Sequence, residues 1–307
     1  GRQLIRLSHF DYSTFLGSNK KLTFCLVQLL KTIFVTGATG NQGGAATKNL
    51  LDNGFHVKAL VRDPAKLNAH ENLQVIKGDL NDPRTYKDHL NDSDAVFCNL
   101  HFKEGVDKEV KQGIDLINSA KASHIKFFIY SSVIGCDLNT GIPHWESKFQ
   151  IENHLKASGI DFAIIRPPSF YENLLFHQVK SRVLKGKLVL PTRKDKVQQF
   201  MSAADVGRVA TRIFSGADKY RNTTIDLAAD QMDGEGLALL LSKVMKRKIT
   251  YQQLPMLITR LVMGRDLAKM FRWVNHHDVI FVKDIESFKK QFQGMLSFEE
   301  WIKIHFG

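Results

Sequence analysis

Cysteine is scarce in this 307-residue chain, with Cys25, Cys98 and Cys136 the only three. None forms a CxxC pair or falls at metal-ligand spacing, and Cys98 sits inside an apolar run. That argues against a disulfide framework or a metal site, and for free thiols in a reducing, cytoplasmic setting. Long apolar stretches are missing too, since none approaches the roughly 18 to 20 residues of a membrane span. Carboxylates are outnumbered, 31 Asp and Glu against 43 Lys and Arg, for a formal charge of +12. Such a surplus favours polyanionic partners in general. The positive residues are nevertheless spread along the chain and dense only at Lys180 to Lys196 and Lys243 to Lys248. This reads as a solvated basic surface that also attracts a phosphorylated small molecule, in preference to a nucleic-acid face. With 43% hydrophobic residues the chain buries a full core, and nothing in its composition suggests disorder.

Against these absences stands one dense signal, Lys31 to Gly44, reading KTIFVTGATGNQGG. Thr32 to Thr36 is a β-branched and aromatic run that breaks into a glycine loop, and a helix-forming segment begins near Gln42. Strand, glycine turn and helix in that order form the dinucleotide-binding corner of a Rossmann unit. Gly37 permits the tight turn, Gly40 lets backbone N–H groups approach a pyrophosphate, and Gly43 lets the helix sit against the strand. Ala38, Thr39 and Asn41 complete the loop, with Thr36 and Thr39 as hydroxyl donors. The phosphates would lie at the helix N-terminus, where free N–H groups and the helix dipole favour negative charge. An ordinary βα turn, whose glycines serve packing only, is the alternative.

Residues 1 to 30 mix charges with an apolar run from Leu22 to Leu30 that continues straight into the first strand. They read as a poorly ordered or loosely packed N-terminal extension. From residue 31 strand and helix patterns alternate, repeating about every 20 to 25 residues. Strands are expected at Phe55 to Val61, Leu73 to Lys77, Ala95 to Leu100, Ile125 to Ser131 and Ile160 to Arg166. Helices are expected at Gln42 to Asn53, Pro64 to His70, Pro83 to Leu90, Val106 to Ala122 and Trp145 to Ser158. The alternation implies an α/β fold: a Rossmann-type, doubly wound parallel sheet over residues 31–168 with ligands at the carboxyl ends of its strands. Residues 169–307 follow as a smaller α/β substrate or partner domain, interleaved with the sheet. Its expected strands are Gln198 to Ser202, Thr223 to Leu227 and Ile249 to Gln252. Its expected helices are Ala203 to Phe214, Glu235 to Met245, Leu257 to Asn275 and Phe298 to Phe306, with Leu257 to Asn275 read as small-domain core.

The carboxyl ends of the strands hold the candidate chemistry. After the second strand come Arg62, Asp63 and Lys66, where an NAD enzyme holds the ribose 2′-OH with an acid. A guanidinium there can fork onto a 2′-phosphate, which favours NADP over NAD, with Asp63 as the ribose acid otherwise. Asp79 and Leu80 follow the third strand, where Asp79 either accepts from an adenine amino group or caps the turn. Cys98, Asn99 and Leu100 end the fourth strand. Ser132 closes the fifth, and His144-x-x-x-Lys148 follows. A short-chain dehydrogenase sets a serine, a tyrosine and a lysine here, the phenol one helical turn before the lysine. His144 occupies the tyrosine position, either to exchange a proton or simply to pack at the start of a helix. Lys148 either holds the nicotinamide ribose or carries a surface charge. Beyond Arg166-Pro167-Pro168 lies Ser169-Phe170-Tyr171-Glu172-Asn173, whose two aromatic rings either wall a nicotinamide or belong to the core.

The motifs GATGNQGG, VRDPAK, GDL, SSVIG and HWESKFQIENHLKASGIDFAIIRPPSFYENLL, with DVGRVA and MFRWV further on, together resemble the NmrA-like, atypical short-chain dehydrogenase/reductase family. The resemblance runs from about residue 31 to residue 302. It implies NADP(H), or NAD(H), in a cleft between two domains. Carried over by position, it places Gly37 to Gln42 on the phosphates, Arg62 to Lys66 at the adenosine phosphate end and Asp79 with Leu80 at adenine. It places Cys98 to Leu100 and Lys111 in the middle, Lys148 at the ribose, and Phe170 to Asn173 around the nicotinamide. Proteins of this kind include cofactor-ratio sensors that regulate a protein partner and reductases of quinones or carbonyls. The missing tyrosine tilts the reading toward a sensor or low-activity oxidoreductase, with the reductase as the alternative and DNA binding third. Whether the chain forms a homodimer stays open.

Overall fold

Thr-Ile-Phe-Val forms β1 (Thr32–Val35), in a computed structural model that describes residues 30–307. Cys25 and all but the last residue of the expected N-terminal extension lie outside the described residues. There follow α1 (Asn41–Asp52), β2 (His56–Val61), β3 (Leu73–Lys77) and β4 (Ala95–Asn99). Next come α2 (Val106–Ala122), β5 (Phe127–Ser131), α3 (Pro143–Ala157) and β6 (Phe162–Arg166). The later segment adds β7 (Ser169–Phe170), α4 (His177–Val183), β8 (Lys187–Leu190), β9 (Gln198–Met201), α5 (Ala203–Ser215) and β10 (Thr223–Asp226). It continues through β11 (Asp230–Met232), α6 (Gly234–Val244), β12 (Thr250–Gln253), α7 (Met256–His276), α8 (Ile285–Gln291) and α9 (Phe298–Phe306).

Seven parallel strands form the main sheet in the order β3-β2-β1-β4-β5-β6-β10. The chain reverses direction across the sheet between β1 and β4, which opens a crevice at their carboxyl ends. Side chains alternate between two cores. Ile33, Val35, Val57 and Ala59 face α1 and α5, while Phe34, Leu60, Val96 and Phe128 face α2 and α3. Both faces are thus covered, as a parallel sheet requires. Strand β10 lies beyond residue 169 and pairs with β6. Around Tyr171, Phe298 and Trp301 a third core forms against α6 and α9, beside two small sheets, β11-β9-β7 and β12-β8.

Three helix expectations need correction. Pro64 to His70 and Pro83 to Leu90 form only short 3-10 turns, at Pro64–Lys66, Pro83–Thr85 and Lys87–Leu90. Asp63 and Asp82 hold the first two turns by accepting from the backbone N–H two residues on, an Asx geometry that competes with α-helix. The stretch from Leu257 to Asn275 is not one core helix. At Gly264, with φ +87°, α7 breaks, and the chain folds back until Asn275 Nδ2 lies 3.7 Å from Met256 Sδ. Leu257, Leu261 and Val262 consequently face solvent. The short elements β7, β8, β11, α4 and α8 escaped sequence reading, because two to seven residues carry too little periodicity to register.

Candidate functional site

The glycine loop is fixed by contacts between the ends of β1, β4 and β5. Gly37 takes φ +67°, and a Cβ on Gly43 would lie 2.2 Å from the Gly37 carbonyl oxygen, so only glycine lets α1 start so close to the turn. Gly40 caps α1 with no side-chain hydrogen bond, leaving the first-turn N–H groups open beside Thr39 and Asn41, both exposed. Ala38 is buried. Thr36 is not available as a hydroxyl donor to a ligand: its Oγ1 is buried, donates to the Asn99 carbonyl at 3.0 Å and accepts from Asn99 N–H at 2.9 Å. Gln42 Oε1 accepts from Ser131 Oγ at 2.6 Å, which ties the loop to β5. Cys98 and Leu100 are buried behind it, and burial pushes the Cys98 thiol up to about 12.

At the ends of β2 and β3 the structure joins residues that sequence treated separately. Arg62 pairs with Glu104 at 3.0 Å, Asn81 Nδ2 reaches Glu104 at 3.5 Å, and Asp79 accepts from the Asn81 N–H and side chain at 2.9 Å. Asp79 Oδ1 thus caps its own turn, and Asp63 caps the neighbouring one. Lys66 is exposed, and Leu80 packs on the α2–α3 core. Lys111 points to solvent and pairs with Asp115 on its own helix at 2.5 Å.

Lys148 is no surface charge. Its Nζ sits 2.9 Å from Glu109 Oε1 and 5.7 Å from the Tyr130 ring centroid, and Glu109, on α2, has no exposed surface. Ser147 Oγ donates to the other Glu109 oxygen at 2.6 Å. One turn earlier His144 is buried, stacked on Phe102 with centroids 4.7 Å apart. Its Nδ1 lies 2.6 Å from Asp266 Oδ1, which α7 delivers just past the break. Neither carboxylate was legible beforehand. Glu109 looks like an ordinary acid in the first turn of a helix, and Asp266 is 122 residues from His144.

Ser132 turns away from the loop. Its Oγ is 3.6 Å from Cys136 Sγ, which donates to Glu152 Oε1 at 3.1 Å. Glu152 is held by Arg166 at 2.8 and 2.7 Å, and that guanidinium keeps the buried carboxyl below its ordinary range despite its desolvation. Tyr171 takes the core alternative, stacking on Phe298 at 4.0 Å and donating to Asp230 at 2.5 Å. Glu172 accepts from Ala203 N–H and Ser202 Oγ at the start of α5 and from Trp301 Nε1. Phe170 and Asn173, by contrast, line a cavity of about 220 Å³ together with Val133, Trp145, Met270 and Trp273. Its walls come from the stretches after β5 and β6, from the start of α3, from β9, and from the second half of α7 with the chain that follows it. Among the described residues no cluster of acids, histidines and cysteines could hold a metal, and no helix is long and apolar enough to cross a membrane.

A parallel seven-stranded sheet, a reversal between β1 and β4 and a glycine corner define a Rossmann-type α/β protein. Within that class the chain belongs to the NmrA-like family, whose model matches residues 30–302. It is similar to an NAD(P)H azoreductase of Xenophilus azovorans, with 31% identity over 225 residues, 71% of this chain and 76% of that protein. In fold it matches an NADPH-dependent quinone oxidoreductase of Escherichia coli solved with NADPH. There the TM-score is 0.78 and the identity 22%, over 90% of this chain and 100% of that one. The negative transcriptional regulator NmrA in complex with NADP matches with TM-score 0.76 and 21% identity, over 91% of this chain and 96% of that one.

Proposed function

We propose that the chain is a reductase that binds a nicotinamide dinucleotide, NADP(H) in preference to NAD(H), and reduces an apolar, planar acceptor of the quinone or carbonyl class. The observation that carries this reading is the largely apolar cavity beside Phe170 and Asn173, which gives an acceptor ring room next to the position expected of the nicotinamide. The azoreductase and quinone oxidoreductase named above lend support. A dinucleotide fits the corner: Gly43 lets α1 start hard against the Gly37 turn, and the α1 N-terminus has no side-chain cap, so its first N–H groups stay open. When bound, the group supplies the hydride, and the protein's part is orientation and proton supply.

In this reading the open N–H groups of α1 take the pyrophosphate. Arg62 and Lys66, both exposed, take the 2′-phosphate. Lys148, already anchored by Glu109, offers its remaining protons to the ribose hydroxyls. Asp266 fixes His144 through Nδ1, which leaves Nε2 as the nitrogen free to exchange a proton with the acceptor oxygen. A cytoplasmic setting belongs to the same proposal. Steady-state oxidation of NADPH against a panel of quinones and aldehydes tests it: sustained turnover, reduced in His144→Ala, is expected. Tight NADPH binding without turnover of any acceptor would refute the reductase and favour a cofactor-ratio sensor acting on a protein partner.

A further inference from the structure

The first half of α7, Met256 to Met263, has its apolar side chains on the outside. Leu257 is 72% exposed, Leu261 77%, Val262 67% and Ile258 44%, while the polar Thr259 is fully buried. This inverts the ordinary helix pattern, in which apolar residues face the core. Contiguous apolar surface of this kind marks a contact with something outside the chain. Between Pro255 and Arg265 the only charges are Arg260 and Arg265, both exposed and neither engaged in an ion pair among the described residues. There is no acid, amide or exposed hydroxyl in that stretch to build the directional polar rim of a protein interface. Leucine, isoleucine and valine flanked by arginine suit an anionic lipid surface, which asks only for apolar insertion and pairing with phosphate.

The location adds a second argument. Past the break at Gly264 the same element turns back and lines the apolar cavity with Met270 and Trp273, while Asp266 holds His144. We infer that the first half of α7 docks the protein on an anionic membrane surface, and that the acceptor class is a quinone dissolved in the lipid, which passes from bilayer to cavity along α7. The acceptor part rests on the reductase reading; the docking part does not.

Two measurements separate them. Flotation with vesicles of phosphatidylcholine containing phosphatidylglycerol should carry the wild-type protein at low salt, and less of it at high salt, as screening weakens the arginine contacts. Vesicles of phosphatidylcholine alone should carry less. The L257S/L261S/V262S variant should stay unbound while keeping wild-type NADPH affinity. Turnover of a short-chain, water-soluble quinone should be equal in the two proteins, whereas turnover of a long-tailed quinone embedded in the vesicles should fall at least about tenfold in the variant. No vesicle binding by the wild type, or equal binding by the variant, overturns the docking. A wild-type dimer that the substitutions convert to monomer, without vesicle binding, assigns the face to a second copy and likewise overturns it. Vesicle binding without turnover of either quinone sustains the docking and defeats the reductase.

Discussion

Replacing Lys148 by methionine separates the ligand-binding role of this residue from its structural one. Methionine keeps the length of the stem and removes the ammonium, which leaves the Glu109 carboxylate with Ser147 Oγ as its one remaining hydrogen-bond donor among the described residues, at a position with no solvent access. Removing one partner from a buried ion pair costs about 3 to 5 kcal/mol, because the surviving charge keeps its desolvation penalty. For a chain of this size, about 2 °C per kcal/mol is expected, so the melting temperature should fall by about 6 to 10 °C. The double variant Lys148→Met/Glu109→Gln removes both charges and should recover most of that loss, giving a coupling energy well above the roughly 0.5 kcal/mol of independent sites. Calorimetry on the wild type, both single variants and the double variant closes the cycle. A loss of under about 1 kcal/mol in Lys148→Met, or additivity in the double variant, would refute the claim that the pair is a buried structural unit. The double variant is also the right background for NADPH titration: weak binding in a protein restored to normal stability isolates the ribose contact.

Three further outcomes follow from the geometry. Gly43→Ala puts a Cβ 2.2 Å from the Gly37 carbonyl, and the forced shift should cost about 1 to 3 kcal/mol in denaturant unfolding and abolish dinucleotide binding by calorimetric titration. Glu104→Gln releases Arg62 from its exposed ion pair and should tighten NADPH binding by up to about fivefold with little change for NADH, whereas Arg62→Ala should weaken NADPH selectively. Burial pushes Asp205 up to about 6, with Arg208 pulling the other way. Because the folded chain holds that proton more tightly than the unfolded chain, the stabilisation is full below the ordinary value of 3.8 and is lost as pH rises through about 6. Melting curves of Asp205→Asn should accordingly slope less between those values than those of the wild type.

The glycine corner was legible in sequence because its constraint is local. Gly37, Gly40 and Gly43 act on atoms within a few residues, and the strand before them and helix after them advertise their own periods. The parallel sheet was legible for a similar reason, since strands covered on both faces are written as continuous apolar runs. The break at Gly264 was not, because a glycine inside a helical pattern is compatible with either continuation or reversal, and tertiary packing chooses.

Sequence alone therefore determined the sheet, the glycine corner and the candidate positions Arg62, His144 and Lys148. Only the tertiary structure decided what those side chains touch. Lys148 meets Glu109 across two packed helices, and His144 meets Asp266 across 122 residues of chain. A carboxylate's partner is chosen by the packing of whole elements, and nothing in the residues beside it records which element that will be.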